Sequence, residues 1–377
     1  MLISDTGGGH RASAMALKGA IEHMYGPSKY EITIVDIWSK HTPWPHNQFP
    51  KSYNTMVKYP ILWRLTYGIT APKIVHVPQM RLIKQMIGGS VSRAFDEYDP
   101  DLIVSLHPLL QHVPIQVIEQ RARAGLRKPA FATVVTDLTT CHPTWYHPRV
   151  DRLFVPTDVV RRAALRYGVP AERITMHGLP IRPAFSVNLP SKAKVRAALG
   201  MDRDTPAVLV VGGGEGMGPV EKQVRALAKE VGPRGQVVVI CGRNEALVRR
   251  LGGIAWPEGM RVIVNGFVAN MHEWMLASDV IVTKAGPGTI AESMICGLPT
   301  ILNGFIPCQE EGNVDFVTDN GVGVFEKNVT QVARLVDRWF ADPAGLAAMS
   351  AKARALGAPQ ATFRIAEDVC ALMKDRK

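Results

Sequence analysis

AVLVVGGGEGMGPV, residues 207–220, runs from five apolar β-formers into a glycine turn and on to Pro219. A short continuous apolar run suits a strand buried on both faces, and proline is favoured at the first helical position, where its missing N–H would be unpaired anyway. Strand, turn and helix in that order form the repeating unit of a parallel sheet wound with helices. Outward from this unit the alternation recurs twice over. Strands are expected at 1–4, 31–37, 101–106, 131–136 and 152–155, and again at 207–211, 236–241, 261–264, 279–283 and 299–302. The proline-rich GLPIRP at 178–183 reads as the linker between the halves. The fold class is therefore α/β, with two Rossmann-like doubly wound domains facing across a cleft. The expected division is 1–185, 186–360 and a C-terminal helix within 361–377 that packs back toward the N-terminal domain. Such sheets bind ligands beyond the carboxyl ends of their strands, so each domain is expected to supply half of the site.

Composition supports a globular, two-domain chain: 377 residues, 46% apolar and 20% charged. A net charge of +11 favours anionic partners such as nucleotides, phospholipid headgroups or nucleic acid. Five scattered cysteines, Cys141, Cys241, Cys296, Cys308 and Cys370, form no C-x-x-C pair and fit a reducing compartment. No apolar run reaches the roughly 18 residues of a spanning helix. The first strand is short before its glycine turn, so an upstream segment is expected.

Three glycine turns carry the chemistry. The first, Asp5-Thr6-Gly7-Gly8-Gly9-His10-Arg11, opens a helix. Glycines let backbone amides approach an oxyanion, and a helix N-terminus adds partial positive charge. Its spacing also fits a loose G-x-G-x-x-A with Asp36 at the end of the next strand, as in a dinucleotide-binding dehydrogenase. The second turn, 212–218, reads as a diphosphate cradle. The third, Lys284-Ala285-Gly286-Pro287-Gly288-Thr289, leads to Glu292, whose carboxylate can accept two hydrogen bonds from ribose hydroxyls. Because the phosphate turn and the ribose carboxylate lie on separate strands, the second half favours a nucleotide diphosphate over a dinucleotide.

The motifs SDTGGGHRAS (4–13), GGGEGMG (212–218), TKAGPGTIAE (283–292) and QEEGN (309–313) resemble those of the monogalactosyldiacylglycerol synthase family. So do SLHPLLQHVP (105–114), TDLTTCHPTW (136–145) and GLPIRP (178–183), and the likeness spans nearly the whole chain. Pro307-Cys308 and Glu311 depart from it, replacing smaller residues. The resemblance implies a GT-B fold, shared with the peptidoglycan N-acetylglucosaminyltransferases, and transfer of galactose from UDP-galactose to diacylglycerol with inversion. It also implies peripheral residence on the plastid (chloroplast) envelope, with no cofactor beyond the donor.

Such transfer needs a base for the acceptor hydroxyl and stabilisation of the departing diphosphate. The amides of Gly213, Gly214, Gly216 and Met217 are assigned to phosphate, and Gly266 and Phe267 to the base. Gly286, Gly288, Thr289 and Glu292 complete the nucleotide site, while Gln309, Glu310 and Asn313 are expected to read the sugar. His10, at a helix N-terminus that favours the neutral ring, is the candidate catalytic base. Asp137 could orient it or act as the base itself. Gly8, Gly9, His107, His112 and His142 are expected around the acceptor, and Trp44 and Pro45 in a region that the resemblance links to docking and anionic-lipid recognition. A metal held by His107 and His112, or by His142 and His147, is disfavoured because neither pair has i, i+4 spacing.

Residues 37–95 contain no Asp or Glu but eight Lys or Arg, interleaved with Trp38, Trp44, Phe49, Tyr53, Tyr59, Trp63 and Tyr67. Aromatics and cations together favour a bilayer surface carrying phosphatidylglycerol or phosphatidic acid. RNA could also stack on such a segment, but no RNP, KH or zinc signature accompanies it, so no nucleic-acid partner is expected. A homodimer stays open, as does a non-catalytic lipid or nucleotide sensor.

Overall fold

The computed structural model describes every residue except Gly7, Lys58, Asn188, Glu215, Met217 and residues 375–377; of Asn54 and Lys374 only the backbone is described. It holds two six-stranded sheets. The first contains β1 (Leu2–Ile3), β2 (Val35–Asp36), β3 (Leu102–Ser105), β4 (Ala130–Val134), β5 (Arg152–Val155) and β6 (Ile174–Met176) in the order β2-β1-β3-β4-β5-β6. The second contains β7 (Ala207–Val211), β8 (Gln236–Ile240), β9 (Arg261–Asn265), β10 (Val280–Thr283), β11 (Thr300–Leu302) and β12 (Gly323–Phe325) in the order β12-β11-β10-β7-β8-β9. Every pairing is parallel. Each sheet has helices around it, giving the two Rossmann-like domains the alternation implied.

All ten expected strands form. The two that were not expected, β6 and β12, are three-residue edge strands with mostly half-exposed side chains. The second strand is shorter than expected at both ends: residues 31–34 precede it without strand pairing, and after it Asp36 turns the chain into a helix, its carboxylate accepting from Ser39 N at 3.1 Å and from Ser39 Oγ at 2.7 Å. That capping role occupies the carboxylate a dinucleotide enzyme would offer to a ribose.

The chain divides into two compact units. The first comprises Met1–Pro183, Ile306–Gln309 and Gln360–Lys377; the second comprises Ala184–Phe305 and Glu310–Pro359. Side chains alternate across the first sheet, as strand geometry requires. Ile103, Phe131 and Leu153 join one core, while Val104, Ala132 and Phe154 join another with Leu17. Ile365, Ala366 and Val369 of the helix Ala361–Lys374 complete this second core. The second unit is built around the valine-rich strands β7, β8 and β10, whose Val208, Val210, Val237, Val239, Val280 and Val282 are buried together.

The helices that position the first unit's site are α1 (Gly9–Tyr25), α2 (Ile37–His41), α3 (Phe49–Met56), α4 (Pro60–Thr70), α5 (Lys73–Tyr98) and α6 (His112–Arg123). The acid-free segment thus folds as α2 to α5. Among the described residues no helix is long and apolar enough to cross a membrane.

Candidate active site

In the first unit, β1 delivers the chain to the start of α1, and His10 is the second residue of that helix. Its Nδ1 lies 3.0 Å from Thr136 Oγ1, just beyond β4. Burial drives the imidazole down to about 4, against the Leu106 carbonyl and Asp5, both of which raise it. The ring is therefore neutral near pH 7 and able to accept a proton. Arg11 holds Asp5 with two hydrogen bonds of 2.8 Å.

The His107 ring stands edge-on to His10 with centroids 4.7 Å apart. Leu109 N–H donates to its Nδ1 at 3.3 Å, so the neutral ring carries its proton on Nε2, 3.0 Å from Thr6 Oγ1. His142 is built the same way: Thr144 N–H donates to Nδ1 at 3.4 Å, and Nε2 faces Thr70 Oγ1 at 3.2 Å. Each of these histidines caps a 3-10 turn, Pro108–Leu110 or Pro143–Trp145. Burial lowers His107 well below its ordinary value and His142 to about 4. Asp137 is buried, and Trp145 Nε1 donates to its Oδ2 at 2.7 Å.

These groups share a cavity of about 530 Å³. His10, His107, Asp137, His142, Pro45 and Gln309 line it together with Trp38, Phe49, Met56, Trp63, Tyr67, Met80 and Ile83. A predominantly apolar pocket with a few convergent polar groups is the usual form of a small-molecule site. Gln309 is fixed there through Tyr53, whose hydroxyl donates to Oε1 at 2.9 Å. Side chains added at Gly8 or Gly9 would meet open space, so neither glycine is required by packing.

Other expectations separate from this group. His112 lines a different cavity, because the chain from His107 passes through a 3-10 turn before α6 begins. Trp44 is 77% exposed, although Pro45 beside it lines the first cavity. Of the aromatics read as a membrane face, Trp38 is buried, and Phe49, Tyr53, Trp63 and Tyr67 are half-buried and line the cavity. Trp44 and Tyr59 are the exposed ones. The exposed apolar surface is aliphatic instead: Ile61, Leu65 and Ile69 recur every four residues on α4, and Ile74 and Leu82 follow on α5.

In the second unit, the turn after β7 packs on the end of β8. Gly216 has φ +59, and a Cβ there would lie within 2.3 Å of the Cys241 carbonyl oxygen, so only glycine fits. Its own N–H donates to Gly213 O at 3.2 Å, which shapes the turn and commits that amide. Gly213 and Gly214 remain on the open side of the turn. Met217 lies outside the described residues. Phe267, 65% exposed after β9 and Gly266, has the Arg243 guanidinium 5.2 Å from its ring centroid.

Gly286 caps the helix Pro287–Cys296, placing Gly288 and Thr289 in its first turn and half-buried Glu292 in its second. Lys284 Nζ reaches Glu310 Oε1 at 2.5 Å, and Glu310 is buried. Asn313 is also buried, with Nδ2 donating to Ala285 O at 2.9 Å. That bond ties the helix Glu311–Asp319 to the third glycine turn. Among the described residues no three His, Cys, Asp or Glu gather as a metal site would require.

Residues 10–181 match a family model described as monogalactosyldiacylglycerol (MGDG) synthase, and 207–365 match the glycosyltransferase family 28 C-terminal domain. A protein of Nicotiana tabacum named probable monogalactosyldiacylglycerol synthase, chloroplastic, is 47% identical over 383 residues, covering all of this chain and 71% of that protein. Monogalactosyldiacylglycerol synthase 1, chloroplastic, of Arabidopsis thaliana is 46% identical, again over all of this chain and 71% of that protein. Among solved structures, Acinetobacter baumannii MurG superposes with a TM-score of 0.59 at 14% identity, over 98% of both chains, which bears on the fold alone. With near-half identity along its whole length, the chain belongs to the monogalactosyldiacylglycerol synthase family.

Proposed function

We propose that this chain transfers galactose, with inversion, from UDP-galactose to the free hydroxyl of sn-1,2-diacylglycerol, releasing monogalactosyldiacylglycerol and UDP at a membrane surface. The observation that carries the reading is the 530 Å³ cavity, in which a neutral His10 meets aromatic and aliphatic walls suited to a glycerolipid. The acceptor oxygen attacks the anomeric carbon as the bond to the diphosphate oxygen breaks. His10 takes the hydroxyl proton and UDP leaves with the bonding pair. Asp137, held by Trp145, is the alternative base and otherwise keeps the polar end of the pocket in place.

In the donor site, Gly213 and Gly214 would face the diphosphate, Phe267 the uracil ring and Glu292 the ribose. Amides and a helix N-terminus neutralise phosphate without a cation, so the reading requires no cofactor. Glu310, held by Lys284, is assigned to the sugar hydroxyls, and Gln309 to the polar part of the first unit's cavity. Asn313 is assigned a positioning role, because its amide is engaged with Ala285.

Docking is assigned to α4 and the start of α5, where exposed Ile61, Leu65, Ile69 and Ile74 would enter the headgroup layer. Lysines and arginines of residues 37–95 would meet phosphatidylglycerol or phosphatidic acid. The word chloroplastic in the relatives' names supports a plastid location, and a peripheral place on the envelope is the reading adopted for it. The test is galactose transfer from radiolabelled UDP-galactose to diacylglycerol vesicles, run beside UDP-glucose and UDP-N-acetylglucosamine. Galactolipid formed selectively from UDP-galactose is expected; no lipid product from any donor would sink the reading.

A further inference from the structure

Several hydrogen-bond donors that line the 530 Å³ cavity are spent on the protein itself. The hydroxyls of Ser52, Thr66 and Thr70 donate to carbonyls of their own helices, to Phe49 O at 2.9 Å, Leu62 O at 2.9 Å and Thr66 O at 2.8 Å. Trp38 and Tyr67 differ. Trp38, on α2, is 3% exposed and lines the cavity, and its indole N–H has no hydrogen-bond partner among the described residues. Tyr67, on α4, lines the cavity too, and its hydroxyl has no hydrogen-bond partner among the described residues.

Both rings are held in place by neighbours. Phe49 packs against Trp38 with centroids 5.3 Å apart, and Trp63 and His142 stand edge-on to Tyr67 at 6.0 Å and 4.8 Å. Burial first, and Asp137 after it, pushes the Tyr67 phenol well above its ordinary value, so it keeps its proton and stays a donor. A buried donor left unpaired is costly unless a ligand or water completes it. An indole N–H cannot accept, so the partner that Trp38 lacks is an acceptor atom. The carbonyl of an acyl ester brings such an atom into an apolar cavity with no proton of its own to satisfy.

We propose that Trp38 and Tyr67 donate to the two acyl carbonyls of the acceptor, so that the cavity selects ester-linked over ether-linked glycerolipids; this rests on the reading of the cavity as the diacylglycerol site. The free hydroxyl is left to His10, and the acyl chains to Met56, Met80 and Ile83. A dialkylglycerol offers the same hydroxyl and similar chains but no carbonyl, and it leaves both donors unpaired.

Calorimetric titration of the full chain with 1,2-dihexanoyl-sn-glycerol and with its ether analogue, 1,2-di-O-hexyl-sn-glycerol, tests this with no donor nucleotide present. Wild type should bind the diester about tenfold more tightly than the diether, the modest net worth of two neutral hydrogen bonds. Tyr67→Phe should reduce that ratio, and Trp38→Phe/Tyr67→Phe should bring it to about one. Differences in lipid solubility are common to all three proteins, so the change in ratio isolates the two donors. In wild type, the Trp38 indole N–H resonance should move further downfield with the diester than with the diether, a readout that needs no substitution. Equal affinities of wild type for the two lipids, a ratio unchanged in both variants, or an indole shift of the same size with both lipids overturns the proposal. Selective binding of the diester without galactose transfer would sink the reaction and uphold the two donors.

Discussion

Trp145 and Asp137 are joined by a 2.7 Å hydrogen bond from the indole N–H to Oδ2, and both side chains are buried. Trp145→Phe keeps most of the ring and removes the donor to a buried acidic side chain. It should lower stability by about 2 kcal/mol, read from the denaturant midpoint, and slow transfer about tenfold with UDP affinity unchanged. Wild-type turnover in that variant would show that this hydrogen bond does not position Asp137 for the reaction.

His10→Ala should reduce transfer at least about a hundredfold, the usual contribution of a general base, while UDP still binds. Because burial holds His10 near 4, it accepts protons at any pH well above that value and is protonated below it. The acidic limb of kcat/KM should therefore fall near pH 4 and not near 6.5. Full activity of the alanine variant would eliminate His10 as the base.

Glu292 stands one turn into the helix Pro287–Cys296. Its replacement by alanine should weaken UDP about tenfold, the equivalent of roughly one charged hydrogen bond. Unchanged affinity by calorimetry would take the ribose away from Glu292.

His112 and His147 make folding sensitive to acid. Burial lowers them to about 4 and about 3 from an ordinary 6.5, so between those values the unfolded chain binds protons that the folded chain refuses. Their contribution is complete above pH 6.5 and is lost as pH falls toward 3, by roughly 3 kcal/mol for His112 and roughly 5 kcal/mol for His147. His112→Gln should flatten the stability curve across this window. A curve of the same slope would show that the ring protonates freely in the folded state.

Ile61 and Leu65 share one exposed face of α4. Ile61→Gln/Leu65→Gln should lower vesicle attachment about tenfold without reducing thermal stability, and attachment of wild type should grow with anionic lipid and fall with salt. Flotation that is indifferent to both substitutions would move the docking surface elsewhere.

Much of the fold was legible because parallel strands buried on both faces announce themselves as apolar runs, as in 207–211 and 236–240. The edge strands Ile174–Met176 and Gly323–Phe325 lack that signal: they are only three residues long and mostly half-exposed. At the site, chemistry was easier to read than direction. His107, Asp137 and His142 could be picked out by residue type at strand ends, but His112 follows His107 by only five positions and faces another cavity. Tyr53, Trp63 and Tyr67 looked like headgroup anchors, since nothing in their composition says which way a helix turns them. Packed edge-on with centroids 5.2 Å and 6.0 Å apart, they instead form part of the wall of the 530 Å³ cavity.

The helix Ala361–Lys374 supplies Ile365, Ala366, Val369 and Cys370 to the core beneath α1. Thr362 Oγ1 also accepts the Ile181 amide at 2.8 Å, and His177 meets Asp368 at 2.9 Å. A ribosome that has finished residue 183 has therefore not yet made all of the first unit. That unit must wait, with an apolar groove uncovered, through the synthesis of the whole second unit, and a gene fragment stopped at 183 should yield a protein that aggregates.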